Sequence, residues 1–264
     1  MFKESIERFL EQSWFSFKGL FEWMDPKMYF LVKIINPIFQ LIFFCLLAKY
    51  CYKTSNLTPW VIGNSFLLCI YNCVFGIGNV FSVERYYGTL KMIVAAPYNK
   101  FIAFFQRGVV HIIDSLITVG VGLIVGSILF NVTFKDVNMI MFFLVVIIGM
   151  FSAVGFGLFI GSFGLIISNM NLVMNIFAML LLAFSGSNFP IEWLPNVLQK
   201  ISYCLPITRS IKAANLLMAY EKSSIIYKLV IGDLFIGIIY IALGYFLMKI
   251  TENIAKRQAS LDIF

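Results

Sequence analysis

The chain has 264 residues, 61% of them hydrophobic and 12% charged, with a net charge of +7 and a mean hydropathy of +0.91. A water-soluble domain of this length needs about a quarter of its residues charged to cover its surface, so a soluble enzyme, a disordered chain and a nucleic-acid binder are excluded. The 20 Lys and Arg against 13 Asp and Glu read instead as a record of membrane orientation, carried in the loops.

Residues 1–27 carry Ile6, Phe9, Leu10, Trp14, Phe17, Leu20, Phe21 and Met24 three and four apart, with Glu4, Glu7, Arg8, Glu11, Lys18 and Glu22 mainly on the other side. That spacing predicts an amphipathic helix lying in the interface, and its mixed charge favours packing on the protein's own bundle. A basic start followed by a cleavable apolar core is missing, so the first apolar run is expected to stay in the mature protein.

A bilayer core of about 30 Å asks for about 20 apolar residues per helix. Six stretches read as spans: Met28 to Ala48, Pro59 to Phe81, Val109 to Phe130, Asn138 to Ile167, Leu172 to Ser185 and Ile231 to Met248. An even number puts both termini on one side. With that side cytoplasmic, 12 Lys and Arg fall in inner segments and 8 in outer ones, the direction the positive-inside rule requires.

Gly122 and Gly126 in the third span and Gly157 and Gly161 in the fourth form G-x-x-x-G steps that let backbones approach. They predict close packing of these two spans on each other. His111 and Asp114 share one face near the inner end of the third span, as a polar relay or as residues within reach of headgroup water. Asp233 reads as a boundary marker of the sixth span. Five scattered cysteines (Cys45, Cys51, Cys69, Cys73, Cys204) lack metal or redox spacing and read as small apolar side chains, although Cys51 and Cys204 could meet outside the membrane. No phosphate-binding loop, H-E-x-x-H or G-x-S-x-G occurs, so the chain cannot hydrolyse ATP alone.

Two segments carry the functional signal. Between the second and third spans runs Ser82-Val-Glu-Arg-Tyr-Tyr-Gly-Thr-Leu-Lys-Met-Ile-Val-Ala-Ala-Pro97. Glu84 and Arg85 precede Leu90, Ile93 and Val94 at helical spacing, and Pro97 ends the element. After the fifth span, Pro190, Pro195 and Pro206 divide the segment from Ser185 to Thr208 into pieces too short to cross, beginning near Ile191 and Ile207. Such broken backbone survives at membrane depth only where protein or a water-filled cavity shields it, which points to re-entrant helices over a pathway.

The first segment resembles the inner loop of the ABC type-2 permease family, approximately E-R-x-x-G-T-L-x-x-L-x-x-x-P. The second, with S-G-x-x-F-P-x-x-x-L-P and then L-P-[LI]-T, is similar to that family's outer gate. The resemblance implies an all-α membrane fold in one permease domain over residues 1–264, with an interfacial helix (1–27), a coupling loop (82–107) and an outer gate region (186–225). It implies ATPase coupling through Glu84, Arg85, Gly88, Thr89, Leu90 and Pro97, and an outer gate built with Phe189, Pro190, Leu194, Pro195, Pro206 and Thr208. Lys91 and Arg209 depart from the family pattern, in which Glu and an aromatic are common. The implied partners are two copies of a separate ATP-binding cassette subunit, which hold ATP and magnesium while this chain binds no cofactor, and a second permease, either an identical copy in a homodimer or a paired permease, in the plasma membrane. The implied activity is export of drug-like, peptide or other amphipathic substrates by alternating access. A polysaccharide or teichoic-acid exporter is the alternative. A more remote one is an intramembrane enzyme using His111 and Asp114, and a purely structural anchor would need no gate helices.

Overall fold

The computed structural model describes residues 30–96, 99–135, 137–167, 169–220 and 223–258 continuously, with scattered single positions before residue 30. The expected interfacial helix over residues 1–27 lies largely outside the described residues; among its positions Glu7, Glu11, Ser13, Phe15 and Lys18 are helical. Every regular element among the described residues is a helix. In hydrocarbon, backbone N–H and C=O groups must find partners inside the segment, which a helix provides.

Helix α1 (Asn36–Tyr52) continues a π-helical stretch, Leu31–Ile35, and buries only the stripe Leu41, Cys45 and Ala48. Helix α2 (Thr58–Tyr86) starts with Pro59 in its first turn, where a missing N–H is harmless. A tight turn then leads to the short helix α3 (Leu90–Ala95). Helix α4 (Lys100–Phe130) is capped by the Asn99 side chain, which accepts from Phe101 N, and stops at Asn131 in the left-handed region. Helix α5 (Met139–Gly161), capped by Asn138, ends in a 3-10 turn, Ser162–Leu165. After α6 (Met170–Phe184) come the 3-10 turn Ile191–Trp193, α7 (Asn196–Cys204) and α8 (Thr208–Met218), and the chain returns through α9 (Ser223–Gln258).

All six expected apolar stretches are helical and occur in order, with different ends. By length and composition α2, α4, α5 with its 3-10 turn, and α9 are able to cross a membrane, while α1 and α6 are shorter apolar helices. The 15 residues of α6 rise about 22 Å, less than the hydrocarbon core of about 30 Å. Helix α4 begins nine residues before Val109, because the Asn99 cap starts it at Lys100.

The core is built on α2 and α5, each with most of its residues buried. Here the structure corrects the glycine expectation. Gly122 and Gly126 face Ser65 and Val61 of α2, and Gly157 and Gly161 face Cys73, Ile77 and Phe81 of α2. Both pairs therefore receive the second span, which packs against α4 and α5 alike. A helix with side chains as large as Phe66 and Phe81 can sit centrally only if its neighbours yield space.

The helix order gives the bundle two ends. One carries α3, the start of α4 and the 3-10 turn after α5, and there Lys100 of α4 lies 3.6 Å from Glu252 of α9. The other carries the α4–α5 turn, α7 and α8.

Candidate functional site

At the α3 end, the residues of the Glu84 to Leu90 motif build an elbow. Gly88 turns the chain with φ 71°, a conformation that costs a side-chain-bearing residue free energy. Gly88 N donates to Arg85 O at 3.0 Å. The Thr89 hydroxyl donates to Glu84 O at 3.1 Å and to the Glu84 carboxylate. Arg85 Nη2 donates to Gly164 O at 2.9 Å and Leu165 O at 3.2 Å, so it fastens the foot of α2 to the foot of α5. Leu90 and Val94, four apart, are buried and seat α3 on the bundle. Pro97 lies outside the described residues.

The sequence motif thus specifies the elbow's construction. Its exposed surface comes from the positions between: Tyr86 (77% exposed), Tyr87 (66%), Lys91 and Met92 (72%). Sequence reading passed over Tyr86, Tyr87 and Met92. The available signal was helical phase: with Leu90 and Val94 facing in, positions 91 and 92 face out.

At the opposite end, the broken segment is pinned to three long helices. Trp60 Nε1 of α2 donates to Asn188 O at 2.8 Å, and Asn64 Nδ2 to Asn188 Oδ1 at 3.2 Å. A Cβ on Gly63 would fall 2.6 Å from Ser187 O, so the segment lies directly on the α2 backbone. Ile207 N, leading into α8, donates to Ser152 Oγ of α5 at 3.3 Å. Ile207 is fully buried with φ 58°, a strained backbone for a β-branched residue that the surrounding contacts must hold. The third pin is Ser210 of α8, whose hydroxyl donates to Asp233 Oδ2 of α9. Asp233 is 0% exposed. The boundary reading of Asp233 therefore fails: α9 begins at Ser223, which carries Asp233 past the helix end and into the packed interior beneath α8.

The gate residues named from sequence surround this arrangement. Phe189 and Pro190 line a cavity of about 380 Å³ together with Trp60, Thr208, Lys212 and Asn215. Thr208 is buried at the start of α8, and its Oγ1 and Asn215 Oδ1 have no hydrogen-bond partner among the described residues. Pro206 is buried, whereas Pro195 is exposed and Leu194 half-buried. Leu194 O accepts from Gln199 Nε2 at 2.8 Å, closing the turn into α7. Arg209 lies along Gly232 of α9 and 5.8 Å from the Tyr203 ring, turned toward the protein.

A polar latch faces outward from this region. Lys212 Nζ donates to Glu192 Oε1 at 2.7 Å and to Tyr203 Oη at 2.8 Å. The hydrogen bond from Lys212 holds the Glu192 carboxyl below its ordinary value. Burial pulls the Lys212 ammonium down, but its bonds to Glu192 and Tyr203 outweigh this and leave it raised.

His111 and Asp114 lie on one face of α4, 2% and 4% exposed. The His111 ring fits over Gly76 of α2, where a Cβ would come within 2.4 Å. Beside them Asn72 donates to Thr118 Oγ1 at 2.6 Å, and Cys73 Sγ meets Ser115 Oγ at 3.2 Å. Because α4 starts at Lys100, both residues sit well inside the bundle, away from helix-end water, and neither lines the cavity under α8. Among the described residues no group of three or more His, Cys, Asp or Glu converges on a metal-sized site. Cys51 and Cys204 are free, exposed thiols.

A search of curated proteins finds no match to this chain. Residues 18–219, more than three quarters of the sequence, match the ABC-2 type transporter family. That match includes both the elbow and the segment from Ser185 to Thr208, and it covers five of the six apolar helices. The chain belongs to the ABC-2 type transporter family and is a membrane-embedded transport permease.

Proposed function

We propose that the protein is the permease subunit of an ATP-driven exporter, moving amphipathic drug-like or peptide substrates out of the cell by alternating access. Two copies form a homodimer in the plasma membrane with both termini in the cytoplasm, and two separate ATP-binding cassette subunits hold ATP and magnesium below them. The α3 end faces those subunits. Tyr86, Tyr87, Lys91 and Met92 form the docking surface, and Glu84, Arg85, Gly88, Thr89, Leu90 and Pro97 hold it in shape. Phe189, Pro190, Leu194, Pro195, Pro206 and Thr208 shape the outer gate, with Ser152, Ser210 and Asp233 as positioning residues. The domain is one unit over residues 1–264.

One observation carries this reading. Helix α2 is a single element of 29 residues with the elbow at one end and the Trp60, Gly63 and Asn64 contacts to the gate at the other. It rises about 43 Å without an internal proline. Close-packed elements transmit displacement because they do not deform continuously. A push on α3 therefore moves the foot of α2, and through Arg85 the foot of α5; α2 touches the gate segment at its far end and α5 meets it near its middle, at Ser152. Closure of the ATP-binding subunits would tilt α2 and α5 together and shift the gate.

The test is the double variant Glu84→Gln with Gly88→Val, assembled with the ATP-binding subunit in vesicles. Substrate transport and permease stimulation of ATP hydrolysis are expected to fall at least tenfold, with melting temperature within a few degrees of the parent. Undiminished transport and stimulation in the variant would overturn the coupling assignment.

A further inference from the structure

A second large concavity lies on a different face. Between α4 and α5, near the turn joining them, is a groove of about 460 Å³ walled by Leu116, Leu123, Ile124, Phe134, Phe142 and Phe143. Ser127 also lines it, but its hydroxyl donates to Val132 O at 2.7 Å. Gly120 forms part of the floor, and a Cβ there would meet nothing within 4 Å. The side chains at the rim, Ile124, Ile128, Met139 and Phe143, are 49–73% exposed on two helices able to cross a membrane.

We propose that this groove holds the acyl chain of a resident phospholipid, with its headgroup at the α4–α5 turn, where Lys135 is exposed. Hydrocarbon is the chemistry at this depth, and the one hydroxyl in the wall is already bonded, so a polar ligand would lose hydrogen bonds on arrival. At roughly 30 Å³ for a water-sized group, a volume of about 460 Å³ takes about 15 such groups, which is the bulk of one fatty-acyl chain. Between lipid and protein there is no hydrophobic driving force, so residence depends on shape. An open pocket at Gly120 lets a chain gain close contacts on several sides that a flat helix surface denies it.

The experiment uses the full-length protein purified from nanodiscs of dioleoyl phosphatidylethanolamine and dioleoyl phosphatidylglycerol, with retained phospholipid counted by native mass spectrometry after detergent exchange. The parent is expected to keep close to one phospholipid per chain. Gly120→Leu, which fills the groove from within, and Ile124→Trp, which covers it from an exposed rim position that folding tolerates, are each expected to lower retention at least fivefold. Lys135→Gln is expected to lower it about fivefold, the factor that roughly 1 kcal/mol per lysine at a lipid surface gives. Equal retention in the parent, Gly120→Leu and Ile124→Trp overturns the proposal. So does an interchain disulfide formed in high yield through Ile124→Cys, which would place a second copy of the chain over the groove.

Discussion

Replacing Asp233 with alanine isolates the contact that ties helix α8 to helix α9. The side chain is fully buried and accepts the Ser210 hydroxyl. Truncation removes that acceptor and leaves a 0% exposed hydroxyl with nothing to donate to in its place. A hydrogen bond to a charged group contributes about 1.5–3 kcal/mol, and a buried donor left unsatisfied costs about 1–3 kcal/mol, two overlapping measures of one loss. Neutral hydrogen bonds between membrane helices average about 0.6 kcal/mol, which sets the floor. The burial and carboxyl chemistry of Asp233 place the expected loss at about 2–3 kcal/mol. For a chain of this size about 2–4 °C of melting temperature accompanies each kcal/mol, so a fall of about 4–12 °C is expected in purified protein. Asp233→Asn retains an acceptor oxygen and is expected to lose less than half as much. Thermal unfolding followed by tryptophan fluorescence measures both, since Trp60 and Trp193 lie in or beside the gate segment. Equal melting of the parent and Asp233→Ala to within about 2 °C would refute the claim that this contact anchors α8.

Four further outcomes follow from the same contacts. Gly63→Ala forces a methyl against the Ser187 backbone; overpacking of this kind costs about 1–3 kcal/mol, and transport is expected to fall severalfold while binding to the ATP-binding subunit in a pull-down stays unchanged. Arg85→Ala releases the two carbonyls at Gly164 and Leu165 and is expected to uncouple ATP hydrolysis from transport, seen as a lower ratio of substrate moved to ATP consumed, which Arg85→Lys restores only in part. His111→Ala leaves space against Gly76 and is expected to lower the melting temperature yet keep transport; complete loss of transport with unchanged stability would revive a chemical role for the imidazole. The Glu192–Lys212 latch is pH-dependent with a defined sign. Because the Glu192 carboxyl is depressed, its contribution is present above the ordinary glutamate value of 4.5 and is lost as pH falls below it. Glu192 is 59% exposed in its side chain, so that contribution stays under about 1 kcal/mol. Trp193 fluorescence in the parent should change below pH 4.5, and the change should be absent in Glu192→Gln.

The sequence made the spans legible because hydrocarbon imposes a length and a composition on every crossing helix, whatever its neighbours. Prolines 190, 195 and 206 likewise announced the broken segment through backbone chemistry alone. Contacts between elements were less visible. The glycine steps in the third and fourth spans reported that something packs closely, but spacing carries no label for the partner, and the partner is α2. Asp233 looked like a boundary because hydropathy sees a charge near the edge of an apolar run; the acceptor role appears only when α8 folds back and brings Ser210 to it. In the elbow, Glu84, Gly88 and Thr89 were recognisable as a motif, yet the Glu84 and Thr89 side chains and the Gly88 backbone shape the turn itself. The surface left exposed falls on tyrosines and a methionine that no motif singles out.

The central claim is that α2 carries displacement from the elbow to the gate. Spin labels on Tyr87, just past one end of α2, and on Ser55, just before the other, can be read as distances between the two permease copies in vesicles containing the ATP-binding subunits. Trapping those subunits closed with ATP is predicted to shift both distances by several ångströms in one concerted step. A label at Tyr87 that moves while the label at Ser55 stays fixed would contradict transmission through α2.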